Sequence, residues 1–320
     1  MMMKKHINLL LSFLLVLSCH NSEKKTGKIP IIGFLDFVED ATLAKARQGF
    51  TEALVNSGFS EKDNSLKIIY RNAQGDIPTL GQACDYFISE QVNLIASNTT
   101  LSTITAVQRS KEIPICMMVS PRPDLAGLTD KSGKAPSNLF GVYETHEYID
   151  TAISIIQEVY PSAKNICAIY SQSEPQSLSA FEQIERQCKH LGMHLFALPV
   201  NNSSETQLVV ASLLKNKPDA FFALPDNSVF ASFETIFKTC EEAHVPIFTS
   251  EAGLVQRGAV AAYGADMYQW GYQSGEMAAD YLKGNTEQKP EIVKIRKRVY
   301  NPLAAKKFNM KFGPNFEALK

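Results

Sequence analysis

The sequence has few residues that bind metals or form disulfides, and this excludes several classes of protein. It has six cysteines and six histidines among 320 residues, and no two cysteines form a C-x-x-C pair. Cys19 apart, the cysteines number five and fall mostly in apolar patterns, so we predict buried thiols and no disulfide framework. His190 and His194 are four residues apart, but Gly192 between them predicts the end of a helix. A metal site is therefore not expected there.

An excess of charge of one sign is also lacking. The formal net charge is −1, and 45% of the residues are hydrophobic. The basic run at 294–298 is local, and it alternates with apolar residues as the solvated face of a strand does. Nucleic acid is therefore not an expected partner.

Motifs of catalysis are missing as well. The sequence has no G-x-S-x-G, H-E-x-x-H or G-x-G-x-x-G, and the segment 127–134 has the wrong spacing for a phosphate-binding loop. An enzyme built on the acids Asp226 and Glu251 remains an alternative, although no activated nucleophile accompanies them. We therefore predict no catalytic residue, no metal and no cofactor.

The one long apolar run lies at the N-terminus and stops at a cysteine. Two lysines precede residues 7–17, which form an apolar segment too short for a permanent membrane span, and a small residue precedes Cys19. The pattern resembles a bacterial lipoprotein signal, so we expect a signal peptide over 1–18, lipid on Cys19 and a linker over 19–28. An ordinary signal peptide with a chance cysteine is the alternative. Either reading places the protein on the extracytoplasmic or periplasmic face of the cell envelope, and the first anchors it to the membrane through lipid.

Strand patterns alternate with helix patterns along the rest of the chain. Residues 29–37 form a continuous apolar run typical of a buried parallel strand, and 41–58 carry apolar residues at helical spacing. A second series of the same kind begins near residue 139, after a loop rich in proline and glycine. The fold class predicted is α/β, with two doubly wound parallel-sheet lobes.

Ligands of doubly wound sheets bind beyond the carboxyl ends of the strands, so the residues at those ends are the candidate site. They are mostly hydroxyls and amides, with a few aromatic rings and acids, which suits a small polar ligand with an apolar part. Many of them are also the residue types that cap helices and form turns, and this remains the structural alternative for each. The candidate ligand-binding residues are Phe37, Glu39, Asn72, Gln74, Asn98, Thr99, Thr100, Tyr170, Ser171, Asp226, Asn227, Glu251 and Tyr268.

Several segments together carry a family resemblance that covers nearly the whole chain after the signal peptide. The most specific is Asn72–Asp76 (Asn-Ala-Gln-Gly-Asp). The others are Ile32–Glu39, Arg47–Phe50, Pro225–Ser228, Val255–Ala261, Trp270–Gly271 and Val299–Asn301. With these segments the chain resembles the ABC-transporter substrate-binding lipoproteins of the tryptophan/tyrosine-binding type.

The resemblance implies a type I periplasmic-binding fold, in which two lobes joined by three crossovers enclose an amino acid, here an aromatic one. The implied lobes are residues 29–144 plus 267–284 and residues 145–266 plus 285–320. Asp226 would meet the α-ammonium of the ligand, and the helix start at Asn98–Thr100 would hold its α-carboxylate, roles that the chemistry of both groups allows.

The implied partners are an ABC permease and its ATPase, with the binding protein itself a monomer. A sensory or surface ligand-binding lipoprotein on the same fold is the alternative, because a fold does not determine a function.

Overall fold

The computed structural model describes residues 28–319; the predicted signal peptide, Cys19 and most of the predicted linker lie outside these residues. The strands are β1 Ile31–Asp36, β2 Lys67–Asn72, β3 Leu94–Asn98, β4 Ile115–Met118, β5 Leu139–Tyr143, β6 Asn165–Ser171, β7 His194–Val200, β8 Ala220–Ala223, β9 Ile247–Thr249, β10 Ala261–Ala265, β11 Pro290–Ile292, β12 Arg296–Tyr300 and β13 Glu317–Ala318. The α-helices are α1 Ala41–Asn56, α2 Ile77–Ser89, α3 Thr100–Arg109, α4 Tyr148–Val159, α5 Pro175–His190, α6 Thr206–Leu214, α7 Asn227–Ala231, α8 Phe233–Glu242, α9 Ala252–Gln256, α10 Met267–Leu282 and α11 Pro302–Lys307. None of the helices in this part of the chain has the length and apolar character needed to cross a membrane.

The strands form two sheets, and this confirms the predicted fold class. The first sheet has the order β11-β5-β4-β3-β1-β2, and the second has the order β13-β12-β10-β9-β8-β6-β7. Pairing is parallel throughout except between β10 and β12, which run antiparallel. In both sheets the order reverses beside the first strand of the series, which is the doubly wound arrangement with its ligand site at the carboxyl ends.

Helices cover the sheets, and we call each sheet with its helices a unit. The first unit is the first sheet with α1, α2, α3 and α10, and the second unit is the second sheet with α4 to α9. Strands such as β3 and β4 are buried along their whole length, which explains their continuous apolar sequence.

Helices α1 and α10 pack closely because glycines face the neighbouring backbone. A Cβ on Gly271 would lie 1.8 Å from the carbonyl oxygen of Ala46, and one on Gly49 would lie 2.0 Å from that of Tyr268. Any larger residue would force the two helices apart. The pair therefore anchors α10 to the first unit, although the chain reaches α10 directly from the second.

One strand departs from the expected division of the chain. The family resemblance implies that residues 285–320 belong to the second lobe, but β11 pairs in parallel with β5 at the edge of the first sheet. The last crossover therefore lies between Ile292 and Arg296, where the chain enters β12. The prediction was wrong here because β11 has three residues and is partly exposed, so it carries no apolar periodicity that distinguishes it from a loop.

Candidate functional site

A cavity lies between the two units, beyond the carboxyl ends of strands from both sheets. Its volume is about 40 Å³, room for a few water molecules. Its lining residues follow β3, β4 and β5 of the first sheet and β6, β8, β9 and β10 of the second. They are Thr99, Thr100, Val119, Ser120, Pro121, Glu144, His146, Tyr148, Gln176, Pro225, Asn227, Phe230, Glu251, Met267 and Trp270.

Glu251 supplies a buried acid on the second-unit side of the cavity. The residue is 1% exposed, and its Oε1 accepts long hydrogen bonds from Tyr148 Oη at 3.3 Å and Ser250 Oγ at 3.4 Å. Its Oε2 has no hydrogen-bond partner among residues 28–319. Burial raises the pKa of Glu251 to about 8, and the nearby charge of Glu144 acts in the same direction. A cation placed here would therefore find an unused carboxylate oxygen.

Glu144 differs from Glu251 because a cation already balances its charge. Arg296 of β12 donates from Nε and Nη2 to the two carboxylate oxygens of Glu144, each at 2.6 Å. This pair of hydrogen bonds engages both carboxylate oxygens of Glu144, whose side chain is 2% exposed. Glu251 is thus the acid of the lining that is left for a ligand.

Thr99 opens helix α3 on the first-unit side. Its backbone has φ 79° and ψ 162°, a region that residues other than glycine rarely occupy, and its side chain makes no capping bond. The first N–H groups of a helix have no partner within it, and the dipole of the helix favours an anion there. The hydroxyls of Thr99 and Ser102 are buried and lack partners in the described part of the chain. The arrangement suits a carboxylate.

Apolar and aromatic side chains form much of the wall. Trp270, in the first turn of α10, is held by a hydrogen bond from its Nε1 to the carbonyl of Val142 at 2.8 Å. Phe230 and Met267 lie in the same wall, and Tyr148 joins them from α4. These surfaces suit the apolar body of a ligand.

A buried acid of the second unit, Glu174, lies beside the lining residues Gln176 and Asn227. Glu174 Oε2 accepts from Asn227 Nδ2 at 2.7 Å and also from the Gln176 side chain. Burial, assisted by the charge of Asp226, raises the pKa of Glu174 to about 8. Gln176 keeps its Oε1 without a partner among the described residues, so it is free to accept from a ligand. Burial lowers the pKa of His146 to about 4, which leaves that ring neutral near pH 7.

Asp226 does not face the cavity, contrary to the sequence-based expectation. It is fully buried at the N-terminus of α7, where Oδ1 accepts from the backbone N–H groups of Ser228 at 2.7 Å and Val229 at 3.1 Å. Its Oδ2 accepts from Ser171 N at 2.8 Å. Both oxygens are therefore used in joining α7 to β6, which is the capping alternative given for this residue type.

Three other predicted residues lie at strand ends without reaching the lining. Asn98 is buried and donates from Nδ2 to Asp36 Oδ1 at 2.7 Å. Tyr170 stacks on Phe181 with ring centroids 4.2 Å apart, and Ser171 Oγ bonds to Ser173. These contacts lie within the chain around each strand end.

The predicted residues near β1 and β2 form a separate surface cluster on the first unit. Glu39 Oε2 accepts from Asn72 Nδ2 at 3.1 Å and from Tyr70 Oη at 3.0 Å. Asn72 Oδ1 accepts from the N–H of Gln74, whose φ of 55° closes a turn that ends at the N-cap of α2. The family-like Asn72–Asp76 segment is thus a turn and not part of the cavity lining.

Phe37 and Tyr268 are also placed away from the cavity. Phe37 is 6% exposed within the core of the first unit. Tyr268 of α10 lines a crevice between the units, next to Tyr272.

Of the 13 candidate residues, the structure therefore brings Thr99, Thr100, Asn227 and Glu251 together around the cavity. The lining also holds residues that were not candidates, among them Glu144, His146, Tyr148, Gln176, Phe230 and Trp270. Trp270 carried a usable signal, because it is the single tryptophan of the chain and lies in a segment that carries the family resemblance.

Two comparisons based on sequence identify the class of protein that this fold and cleft define. Residues 31–316 match the family model described as ABC transporter substrate binding protein. The tyrosine-binding protein of Clostridioides difficile (strain R20291) is 33% identical over 270 residues, covering 83% of this chain and 77% of that protein. The chain therefore belongs to the ABC transporter substrate binding protein family, whose members bind solutes and are not enzymes.

Solved structures share this fold. A Streptococcus pneumonia ABC domain in complex with L-Trp has a TM-score of 0.82 at 23% identity, covering 90% of this chain and 97% of that chain. The ligand-free, open structure of a Clostridium difficile substrate binding protein with adhesive properties has a TM-score of 0.66 at 28% identity, covering 91% of this chain and 99% of that chain. The fold of the family is thus present over nearly all of the described residues.

Proposed function

We propose that this protein is the lipid-anchored, extracytoplasmic binding component of an ABC importer and takes an aromatic L-amino acid into the cavity between its units. One observation carries the proposal: the cavity places an uncompensated acid, Glu251, in one unit and an uncapped helix N-terminus at Thr99 in the other. A zwitterion complements this pair of sites.

The α-ammonium pairs with Glu251. Its Oε2 is buried and lacks a partner among the described residues, and charge-assisted hydrogen bonds are the strongest that such an oxygen accepts. A ligand without the ammonium leaves Glu251 buried and unpaired, and the protein therefore discriminates against it.

The α-carboxylate lies at the start of α3. Free N–H groups of the first turn point toward an anion at this position, and the hydroxyls of Thr99 and Ser102 add donors. Holding Thr99 in a glycine-like backbone conformation costs folding energy, and strain of this kind accumulates at ligand sites.

The side chain of the ligand packs on Trp270 and Phe230. An aromatic ring gains more from such a wall than an aliphatic group of the same size, because offset and edge-on ring pairs add to the burial of area. Gln176 and Asn227 offer hydrogen bonds to a phenol hydroxyl or an indole N–H. The names of the relatives, which refer to tyrosine and L-Trp, support the same ligand class.

Titration calorimetry with L-tyrosine and L-tryptophan tests the ligand, and mass spectrometry of molecules retained through purification tests it without a prior choice. Tyramine, which lacks the carboxylate, and 3-(4-hydroxyphenyl)propionate, which lacks the ammonium, are matched controls. We expect both analogues to bind at least tenfold more weakly than tyrosine, since each leaves one charged subsite unpaired. Equal binding of the analogues, or no binding of either amino acid, contradicts the proposed ligand.

The membrane anchor is proposed on Cys19, which lies outside the described residues. We expect Cys19→Ser to move the protein from the membrane fraction to the soluble fraction and to abolish labelling with palmitate. Membrane fractionation that survives together with labelling contradicts the anchor.

The transport role itself is tested in cells. Loss of the gene is expected to reduce uptake of the labelled amino acid, because the protein would deliver its ligand to a permease and its ATPase as a monomer. The adhesive relative favours one second candidate, a surface lipoprotein on the same fold. Unchanged uptake with reduced attachment to host cells would support that role.

A further inference from the structure

An ion pair joins the two units where α1 begins and α9 ends. Arg257, the residue after α9 in the second unit, donates from Nη1 to Asp40 Oδ2 at 2.5 Å and to Thr42 Oγ1 at 3.0 Å, both in the first unit. The two partners stand 217 positions apart in the sequence. The side chains are 15% and 2% exposed, so the pair is largely shielded from water.

The same face of the two units is in close steric contact. A Cβ added to Gly253 of α9 would lie 2.4 Å from Cγ2 of Thr42 in α1. Only glycine allows the first turn of α1 to approach α9 so closely, and this approach brings Asp40 within reach of Arg257.

Arg257 also contacts the wall of the ligand cavity. Its Nη2 donates to the carbonyl oxygen of Phe230 at 3.2 Å, and Phe230 lines the cavity. Two further bonds, from Nε and Nη2 to Glu234 at 2.9 Å each, lie wholly within the second unit. Arg257 therefore links three groups: a cavity wall, an exposed acid of its own unit and a buried acid of the opposite unit.

We infer that the Arg257–Asp40 pair is a latch that holds the two units together and sets the rate at which the bound ligand leaves. The effect on ligand release rests on the proposed function, whereas the contact between the units does not. The latch forms only when the units meet, so it stabilises the closed arrangement and leaves the open one unchanged. Arg257 is a positioning residue that acts through the closure and through Phe230.

Substitutions separate the latch from the other roles of these residues. Asp40→Asn keeps the Oδ1 that caps α1 by accepting from Thr42 N at 2.7 Å and Leu43 N at 3.0 Å, but it loses the charge opposite Arg257. Arg257→Gln removes the other partner. Glu234→Gln is the matched control, because it removes a charged partner of Arg257 without touching the contact between units.

Ligand release is measured by stopped-flow displacement of L-tyrosine, with L-tryptophan as a second probe. Dissociation should accelerate roughly 5- to 150-fold in Asp40→Asn and Arg257→Gln, the range of a typical coupling between two sites. Association should stay within about twofold, because ligand enters before the latch forms. The double variant should be no faster than the faster single variant, and Glu234→Gln should match the wild type.

A second measurement needs no ligand. Spin labels on cysteines placed at Gln48 of α1 and Gln256 of α9, both exposed and both beside the crevice between the units, report the separation of the units. The five cysteines of the described residues are buried, so a Cys19→Ser background labels selectively. The short-distance population should be present in the wild type and in Glu234→Gln, and reduced in Asp40→Asn and Arg257→Gln.

The steric contact provides an independent test. Gly253→Ala should reduce the short-distance population, and adding Thr42→Ser, which removes Cγ2 and keeps the hydroxyl, should restore it. Unchanged distances and unchanged release in both latch variants would overturn the inference. If neither amino acid binds the wild type, the proposed ligand is wrong and the distance measurements alone decide the latch.

Discussion

Replacement of Glu251 by glutamine tests the centre of the proposed site. The substitution keeps the size of the side chain and an oxygen for Tyr148, but it removes the negative charge from a position that is 1% exposed. Loss of one member of a buried, hydrogen-bonded charge pair costs about 2 to 5 kcal/mol. Above the pKa of Glu251, affinity for L-tyrosine or L-tryptophan should therefore fall roughly 30- to 5,000-fold.

The pH dependence gives the test a second, independent readout. Burial raises the pKa of Glu251 from 4.5 to about 8, so the empty protein keeps this carboxyl protonated at neutral pH. An ammonium pairs with the ionised form, and binding must therefore release a proton at lower pH. The affinity of the wild type should rise about tenfold for each pH unit up to about 8 and then level off. Glu251→Gln should abolish both this slope and the proton release seen by calorimetry in buffers of different ionisation enthalpy.

The folding stability of the ligand-free protein should fall as the pH rises, whereas the affinity for the ligand rises. A carboxyl with a raised pKa binds its proton more tightly in the folded state, so its contribution to stability is present below the unfolded pKa of 4.5 and is lost as the pH rises toward about 8. At high pH the ionised group destabilises the folded protein by at most on the order of 5 kcal/mol. Glu251→Gln should therefore raise the melting temperature at high pH and have a smaller effect near pH 5.

Asp226→Asn serves as the matched control, since Asp226 is another buried acid at a strand end but does not line the cavity. It should leave the pH slope of binding intact. If Glu251→Gln binds within about twofold of the wild type at every pH, and Asp226→Asn loses the slope, the assignment of the ammonium to Glu251 is refuted.

Three further predictions follow from the strained helix start, the buried cap and the hydrophobic wall. Thr99→Gly should raise the melting temperature of the ligand-free protein, since it relieves a backbone strain of about 1 to 3 kcal/mol, and it should weaken amino-acid binding. Thr99→Ala should weaken binding without raising the melting temperature. An unchanged melting temperature in Thr99→Gly would argue against strain. Asp226→Asn should lower the apo stability by about 1 to 3 kcal/mol, because an amide N–H₂ then faces the N–H of Ser171; denaturant unfolding measures this, and a loss of affinity at full stability would restore Asp226 to the site. Trp270→Leu should weaken binding of L-tyrosine but retain the proton release on binding, since the apolar wall and the charged subsites are separate. Calorimetry measures both quantities. Loss of the proton release as well would mean that Trp270 positions Glu251.

Much of the architecture follows from local sequence. Strands such as β1 and β3 are continuous apolar runs, and helices such as α1 repeat apolar residues at helical spacing, so their alternation specifies two doubly wound sheets. That alternation also places the site at the carboxyl ends of the strands, where Thr99 and Glu251 were found. Short and partly exposed elements such as β11 escape this reasoning, because their pairing partner and not their own pattern makes them strands.

The membership of the site was decided by tertiary structure. Asp226 and Glu251 are equivalent in sequence, since each is an acid between a buried strand and a helix. They differ because Ser171, from another strand, donates to the carboxylate of Asp226, whereas in the described residues Glu251 keeps an oxygen without a partner. The pairing of Arg257 with Asp40 likewise joins residues that only folding brings together. Local sequence determines the path of the backbone, but the direction and charge state of a buried side chain depend on distant groups that burial places beside it.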